Sequence, residues 1–347
     1  MHRHRVTFTL CLGFAVMLLS SAALAQYQLT NLDSNQVGGA KFTDPLQVNG
    51  WGLARSANSP FWVSDQGSGW STLYTGTGVK EGLVVLVPSA SGAGPGQPTG
   101  IVINESPDTS EFQVMGPTTA SASKFLFATL DGTISGWAPG ANPNDAIIAV
   151  NNSKAGATYT GLAITNRPTG NLLYAANLSN NVVEVYDGSF NMVNTFTDPT
   201  LGPTYGPFGI QDINGLLYVT FALASTAPSG QVDIFQEDGT FVKVLAQGPP
   251  LNQPWGVAIA PPNFGKLSNT LLVSNNTNFG TINGFNLETG KFVGTIRNSS
   301  GKNIEINQLW GIEFGGGAAS NGRTNQLFFT AGPANNLAGT FGVIGLN

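Results

Sequence analysis

Histidine and cysteine are all but missing from this 347-residue chain: the one cysteine is Cys11 and the two histidines are His2 and His4. All three fall in the first 25 residues, so the chain beyond Ala25 has neither a thiol nor an imidazole. For that remainder the absence excludes Ser-His-Asp and Cys-His nucleophilic chemistry, histidine or thiolate zinc sites and disulfide cross-links. Charge is scarce as well, at 10% of residues. A lightly charged, mildly acidic chain offers no electrostatic footprint to nucleic acid or to an anionic membrane. No phosphate-cradling Gly-x-x-x-x-Gly-Lys motif occurs. Beyond the N-terminus no apolar run reaches the roughly 20 residues of a membrane span.

The N-terminus itself reads as an address. Met1 to Arg5 carries two arginines and two histidines, Val6 to Leu19 is apolar, and Ala23-Leu24-Ala25 has the small-x-small pattern of a cleavage site. Residues 1–25 are therefore expected to be a secretory signal peptide and the mature protein to start at Gln26, secreted to the periplasm or the exterior. Loss of Arg3 and Arg5 takes the fourteen basic residues to twelve against nineteen acidic, and the net charge from -5 to -7.

What is plentiful is glycine, 45 residues, and part of it is periodic. A block of one polar or aromatic residue, Gly and alternating apolar residues recurs at Trp51-Gly52-Leu53-Ala54, Thr99-Gly100-Ile101-Val102 and Thr160-Gly161-Leu162-Ala163. It returns at Phe208-Gly209-Ile210-Gln211, Trp255-Gly256-Val257-Ala258 and Trp310-Gly311-Ile312-Glu313. The glycines stand 48, 61, 48, 47 and 55 residues apart, which is the length of a four-stranded propeller blade. Bulky second-strand segments follow each block, such as Phe61-Trp62-Val63-Ser64 and Leu271-Leu272-Val273-Ser274, and third strands and Gly-containing turns follow those. The fold class predicted is all-β, a six-bladed β-propeller over residues 26–347 as a single domain, because no repeat can bury its faces alone. The sixth repeat runs out after its third strand. Tyr27 to Leu32 is expected to supply the missing outer strand and close the propeller, since an unpaired edge is costly. Ser89 to Pro98 and Asn104 to Ser123 read as insertions.

Alternation along the inner strands suggests which side chains face the axis. Leu53, Ile101, Leu162, Ile210, Val257 and Ile312 are expected to pack between blades, and Ala54, Val102, Ala163, Gln211, Ala258 and Glu313 to face a central channel. Arg55 and Asp212 occupy one aligned position and are expected to pair. Inner strands begin on the face where second strands end, so two sets of residues share one rim. This rim predicts a ligand-binding set of Asn49, Trp51, Gln97, Gln253, Trp255, Gln308 and Trp310, with Gln211 in the channel. Aromatics supply area there and amides supply paired donors and acceptors. For a metal the oxygen ligands are Glu313, Asp65 and Asn275, and calcium is the cofactor that such a set would take.

The repeats resemble NHL-type and strictosidine-synthase-like six-bladed propellers. Over nearly the whole mature chain, the Trp-Gly-(Leu/Val/Ile)-Ala blocks look most like a family of uncharacterised exported bacterial propellers. That resemblance implies bacterial export and the fold, with no established activity. Among better-known relatives it implies a calcium site of acidic and amide groups in the gluconolactonase type, and a histidine in lyase and lactonase types that is missing here. The reading that follows is a monomeric binding module for a small molecule, glycan or protein at the channel mouth. A calcium-dependent hydrolase or lactonase centred on Glu313 is its alternative.

Overall fold

The computed structural model describes residues 26–346 apart from 203 and 224–228, and the expected signal peptide lies outside them. Six antiparallel sheets stand around one axis, a six-bladed β-propeller of almost entirely β structure. The inner strands of blades 1 to 6 are Gly50–Ala54, Pro98–Ile103, Tyr159–Ile164, Tyr205–Ile213, Pro254–Ile259 and Leu309–Phe314. Each lies against the next, and the sixth returns to the first. Among the described residues no helix is long and apolar enough to cross a membrane.

The second strands show why these segments read as continuous apolar runs. Every residue of Phe61–Asp65, Phe125–Thr129, Leu173–Asn177, Thr270–Asn275 and Leu327–Ala331 is buried. A sheet packed on both faces has no solvent side to alternate toward. The same fact corrects the expected division of the inner strands into a packing face and a channel face. Blades stack face to face, so Ala54 shares a buried cluster with Ile101, Val102 with Leu162, Ala163 with Ile210 and Ala258 with Ile312, across four of the six seams. Both columns thus pack between blades while both also border the channel, so neither is a packing face or a channel face alone.

That convergence accounts for the repeat glycine. A Cβ at Gly52, Gly100 or Gly209 would strike the backbone of the next blade's inner strand outright. At Gly161, Gly256 and Gly311 it would lie 3.1, 2.8 and 2.9 Å from Phe208 O, Trp310 O and Trp51 O. Six side-chain-free positions let six strands approach one another. Hydroxyls then pin the seams. Thr330 donates to Trp51 O at 2.6 Å, Ser274 to Trp310 O at 2.7 Å and Thr220 to Trp255 O at 3.2 Å. In blades 2 and 3 the second strand has Ala128 and Ala176 instead, and the hydroxyl comes from the inner strand. Thr99 donates to Tyr159 O at 2.7 Å and Thr160 to Pro207 O at 3.4 Å.

The last blade is completed from the other end of the chain, as expected. The strand Tyr27–Ser34 runs antiparallel to Thr340–Leu346, from Tyr27 opposite Leu346 to Ser34 opposite Thr340, with a bulge between Asn31 and Asp33. Tyr27 anchors its start, donating to Phe264 O at 2.6 Å and packing on that ring. Leu32 joins Phe61, Tyr74, Phe328 and Phe341 in the seam between blades 6 and 1. The insertion after blade 2's inner strand is tied down as well. It holds the hairpin Gln113–Met115 with Ala120–Ala122, and Glu111 accepts from Asn171 N at 3.0 Å and Asn171 Nδ2 at 2.7 Å on blade 3.

Candidate functional site: one closed mouth and one open mouth

The channel has two ends of opposite character. Where the inner strands begin, Trp51, Phe208, Trp255 and Trp310 meet in one buried cluster. Trp51 stacks on Trp310 with centroids 3.6 Å apart, Trp255 meets Trp310 edge-on at 6.1 Å, and Phe208 lies 6.5 Å from Trp51. Blades 1 and 4 oppose each other in a six-bladed ring, so the last contact spans the axis. None of the four rings is more than 9% exposed. Edge-to-face and offset aromatic pairs favour this packing beyond the area they bury. Below the aromatic plug the strands leave a throat of only about 30 Å³, walled by Leu53, Ile101, Leu162, Ile210, Val257 and Ile312.

The expected rim residues lie on this closed face, and most of their polar groups are engaged. Asn49 is buried, accepts Trp310 Nε1 at 2.9 Å and donates to Gln66 at 2.6 Å; Gln66 in turn donates to Gln97 at 2.9 Å. Gln253 donates to Leu223 O at 2.8 Å and Gln308 to Asn278 at 2.8 Å. Trp255 Nε1 donates to Thr160 O at 3.0 Å, while Trp51 Nε1 is buried with no partner. Asn49, Gln253 and Gln308 all have φ near 50°, the same left-handed turn two residues before a plug tryptophan. The structure thus brings Trp51, Trp255, Trp310 and Asn49 together as a seal, with Gln97, Gln253 and Gln308 as its outer margin.

The expected metal ligands do not come together. Asp65 is buried in blade 1, where Thr72 donates to its Oδ2 at 2.6 Å. Asn275 belongs to blade 5 and donates to Pro250 O at 2.7 Å. Both stand at the closed end, whereas Glu313 lies past the throat at the opposite one. Among the described residues no three acidic, histidine or cysteine side chains are grouped as a cation needs. Calcium takes six to eight oxygens. The nominated set does not fit it.

At the far end, where the inner strands finish, the channel widens into a cavity of about 470 Å³. All six blades line it, and its polar side chains include Arg55, Glu105, Asn166, Gln211, Asp212 and Glu313. Gln211 and Glu313 therefore do face the channel. Arg55, in contrast to the expected pairing with Asp212, turns to Glu313: Nε lies 3.4 Å from Glu313 Oε1 and donates to Phe314 O at 2.9 Å. Loss of hydration pushes the Glu313 carboxyl up to about 8, the Arg55 guanidinium pulling it down and Glu105 pushing it up. Burial also raises Asp212, whose Oδ2 is buried without a partner. Glu105 and Asn166, each five residues after its repeat glycine, went unnoticed in the sequence because they fall beyond the alternating block. The usable signal was their place, each a short step past the end of an inner strand.

A six-bladed propeller sealed at one mouth and polar at the other is the class that fold and site define. The chain belongs to a family with an uncharacterised protein of Acanthamoeba polyphaga mimivirus, R648: they are 30% identical over 340 residues, 93% of this chain and 81% of that protein. Two further uncharacterised proteins of the same virus also match. This corrects the expected family of exported bacterial propellers, for the relatives found are viral. No protein-family model matches. Among solved structures, a gluconolactonase from Xanthomonas campestris matches with a TM-score of 0.55 and 12% identity, covering 96% of this chain and 94% of that one. A streptogramin B lyase matches at 0.52 and 13%, covering 94% and 100%. At such identities the likeness is one of fold.

Proposed function

We propose that this protein is a binding propeller that takes a small polar molecule into the open mouth of its channel. The observation that carries the reading is the asymmetry of the axis. One end is sealed by four buried aromatic rings, and the other is a cavity of about 470 Å³ with amide, carboxyl and guanidinium groups converging from several blades. A concavity of that size, partly apolar and with a few converging polar groups, is the usual form of a small-molecule site. The aliphatic collar beneath it gives a ligand an apolar floor, and Gln211 is exposed on its wall. Compared with the rim first expected, the working face moves to the other end of the same strands.

The experiment is a screen of small polar metabolites by ligand-observed NMR, with two variants. Gln211→Trp, which fills the open cavity, is expected to abolish binding of any hit, whereas Gln97→Ala on the closed face leaves it unchanged. The opposite pattern would move the site back to the aromatic end.

A further inference from the structure

The seam that closes the propeller holds a group of buried acids that the binding reading does not use. Asp33, the one acidic residue of the closing strand Tyr27–Ser34, sits just past the bulge at Asn31 and is 1% exposed, its Oδ1 without a partner. Asp44, carried on the segment that follows, is equally buried and receives Lys80 Nζ at 2.7 Å and the Tyr74 hydroxyl at 2.8 Å. Asp65, from blade 1's second strand, is buried too, its Oδ1 unpartnered. Asp44 N donates to Ser34 O at 3.0 Å beside Asp33, Tyr74 and Thr72 link Asp44 to Asp65, one ammonium, Lys80, meets Asp44, and no charged group comes from Thr340–Leu346, the blade 6 strand on the other side. Like carboxylates held in a low-dielectric seam cannot all ionise without cost.

We propose that Asp33 makes the closing strand a pH-gated latch, which holds the sixth blade to the first while the acid carries its proton and loosens when the proton is lost. The electrostatics support this. Burial first, and then the Asp44 charge, push the Asp33 carboxyl up to about 7 from an ordinary 3.8, with Lys80 opposing. Burial and Asp44 raise Asp65 in the same direction, and burial raises the Tyr74 hydroxyl. For an acid raised in the closed state, the stabilisation is complete below the ordinary value and is lost as pH climbs to the raised one. The latch is therefore tightest in acid, loosens between about pH 4 and 7, and changes little beyond.

The test is hydrogen exchange of the amides of residues 27–34 between pH 4.5 and 8.5 in the full chain, corrected for intrinsic rates. Protection is expected to fall at least tenfold between pH 4.5 and 7 and then level off, following the one-proton linkage. Asp33→Asn, uncharged and of the same shape, is expected to flatten that fall. Lys80→Met removes the opposing cation and is expected to extend the fall above pH 7. A flat wild-type profile, or the same profile in both variants as in wild type, overturns the latch.

Discussion

The two mouths of one channel are built from the same six strands, yet they obey different physics. The closed mouth buries what it has. Trp51, Trp255 and Trp310 give their area to one another, and Trp310 and Trp255 satisfy their indole N–H groups on Asn49 and on the Thr160 carbonyl. The open mouth leaves polar groups unspent, with Gln211 exposed, an Asp212 oxygen unpartnered and Glu313 raised by loss of hydration. Trp51 Nε1 is orphaned at the closed end too, so what sets the open mouth apart is that its polar groups, a raised carboxyl among them, converge on one cavity, which marks it as a place tuned for something other than stability. Repetition of an aromatic at the strand start is thus evidence of packing, and the irregular positions, Gln211 and Glu313, are where function is to be sought.

That division is broken most directly by truncating the plug. Trp310→Ala removes the ring stacked on Trp51 and orphans Asn49 Oδ1, and is expected to destabilise the fold by about 3–5 kcal/mol. Denaturant unfolding checks this, and a loss below about 1 kcal/mol would mean that the rings are a surface rather than a seal. Next comes the strand approach itself. Gly209→Ala places a methyl against the Trp255 carbonyl and beside Thr220 Oγ1, and overpacking of this kind costs about 1–3 kcal/mol. Calorimetry of that variant against Gly215→Ala, a turn position with open space around it, separates crowding from the left-handed backbone strain that Gly215 alone carries.

The architecture was largely legible in the sequence because it is repeated. Six glycines at near-constant spacing state a close approach six times, and a sixth repeat short of one strand leaves Tyr27 to Leu32 as its partner. The site was less legible, for a physical reason. Whether Trp51 and Phe208 line a rim or meet across an axis depends on the width of a ring closed by residues about 150 positions apart, and no local pattern carries that distance. The expected division of alternating residues between seam and channel held only in part: Ala54, Val102, Ala163, Gln211, Ala258 and Glu313 do line the open end, but the other column walls the throat and both pack between blades. One signal was present and unused. Where the residue before the glycine is Thr99 or Thr160, the second strand has Ala128 or Ala176 in place of a hydroxyl, which marks those two positions as partners in one contact.

The finest separation of the two mouths comes from pH. The plug holds no titratable side chain, so its contribution is flat between pH 5 and 9, whereas the open mouth contains Glu313 raised to about 8 from 4.5. An acid raised by folding favours the folded state most below its ordinary value, and that share is lost as pH rises through the raised one. Glu313→Gln keeps the shape and removes the proton equilibrium. Its stability relative to wild type is therefore expected to improve steadily from about pH 5 to 8 and then hold, as seen in paired thermal melts. Because Asp33, in the seam between blades 6 and 1, titrates equally in both proteins, it cancels in the difference. A difference that stays level across that window would show Glu313 already ionised in the Arg55 contact, and the open mouth would then be an ion-paired structural end like the other.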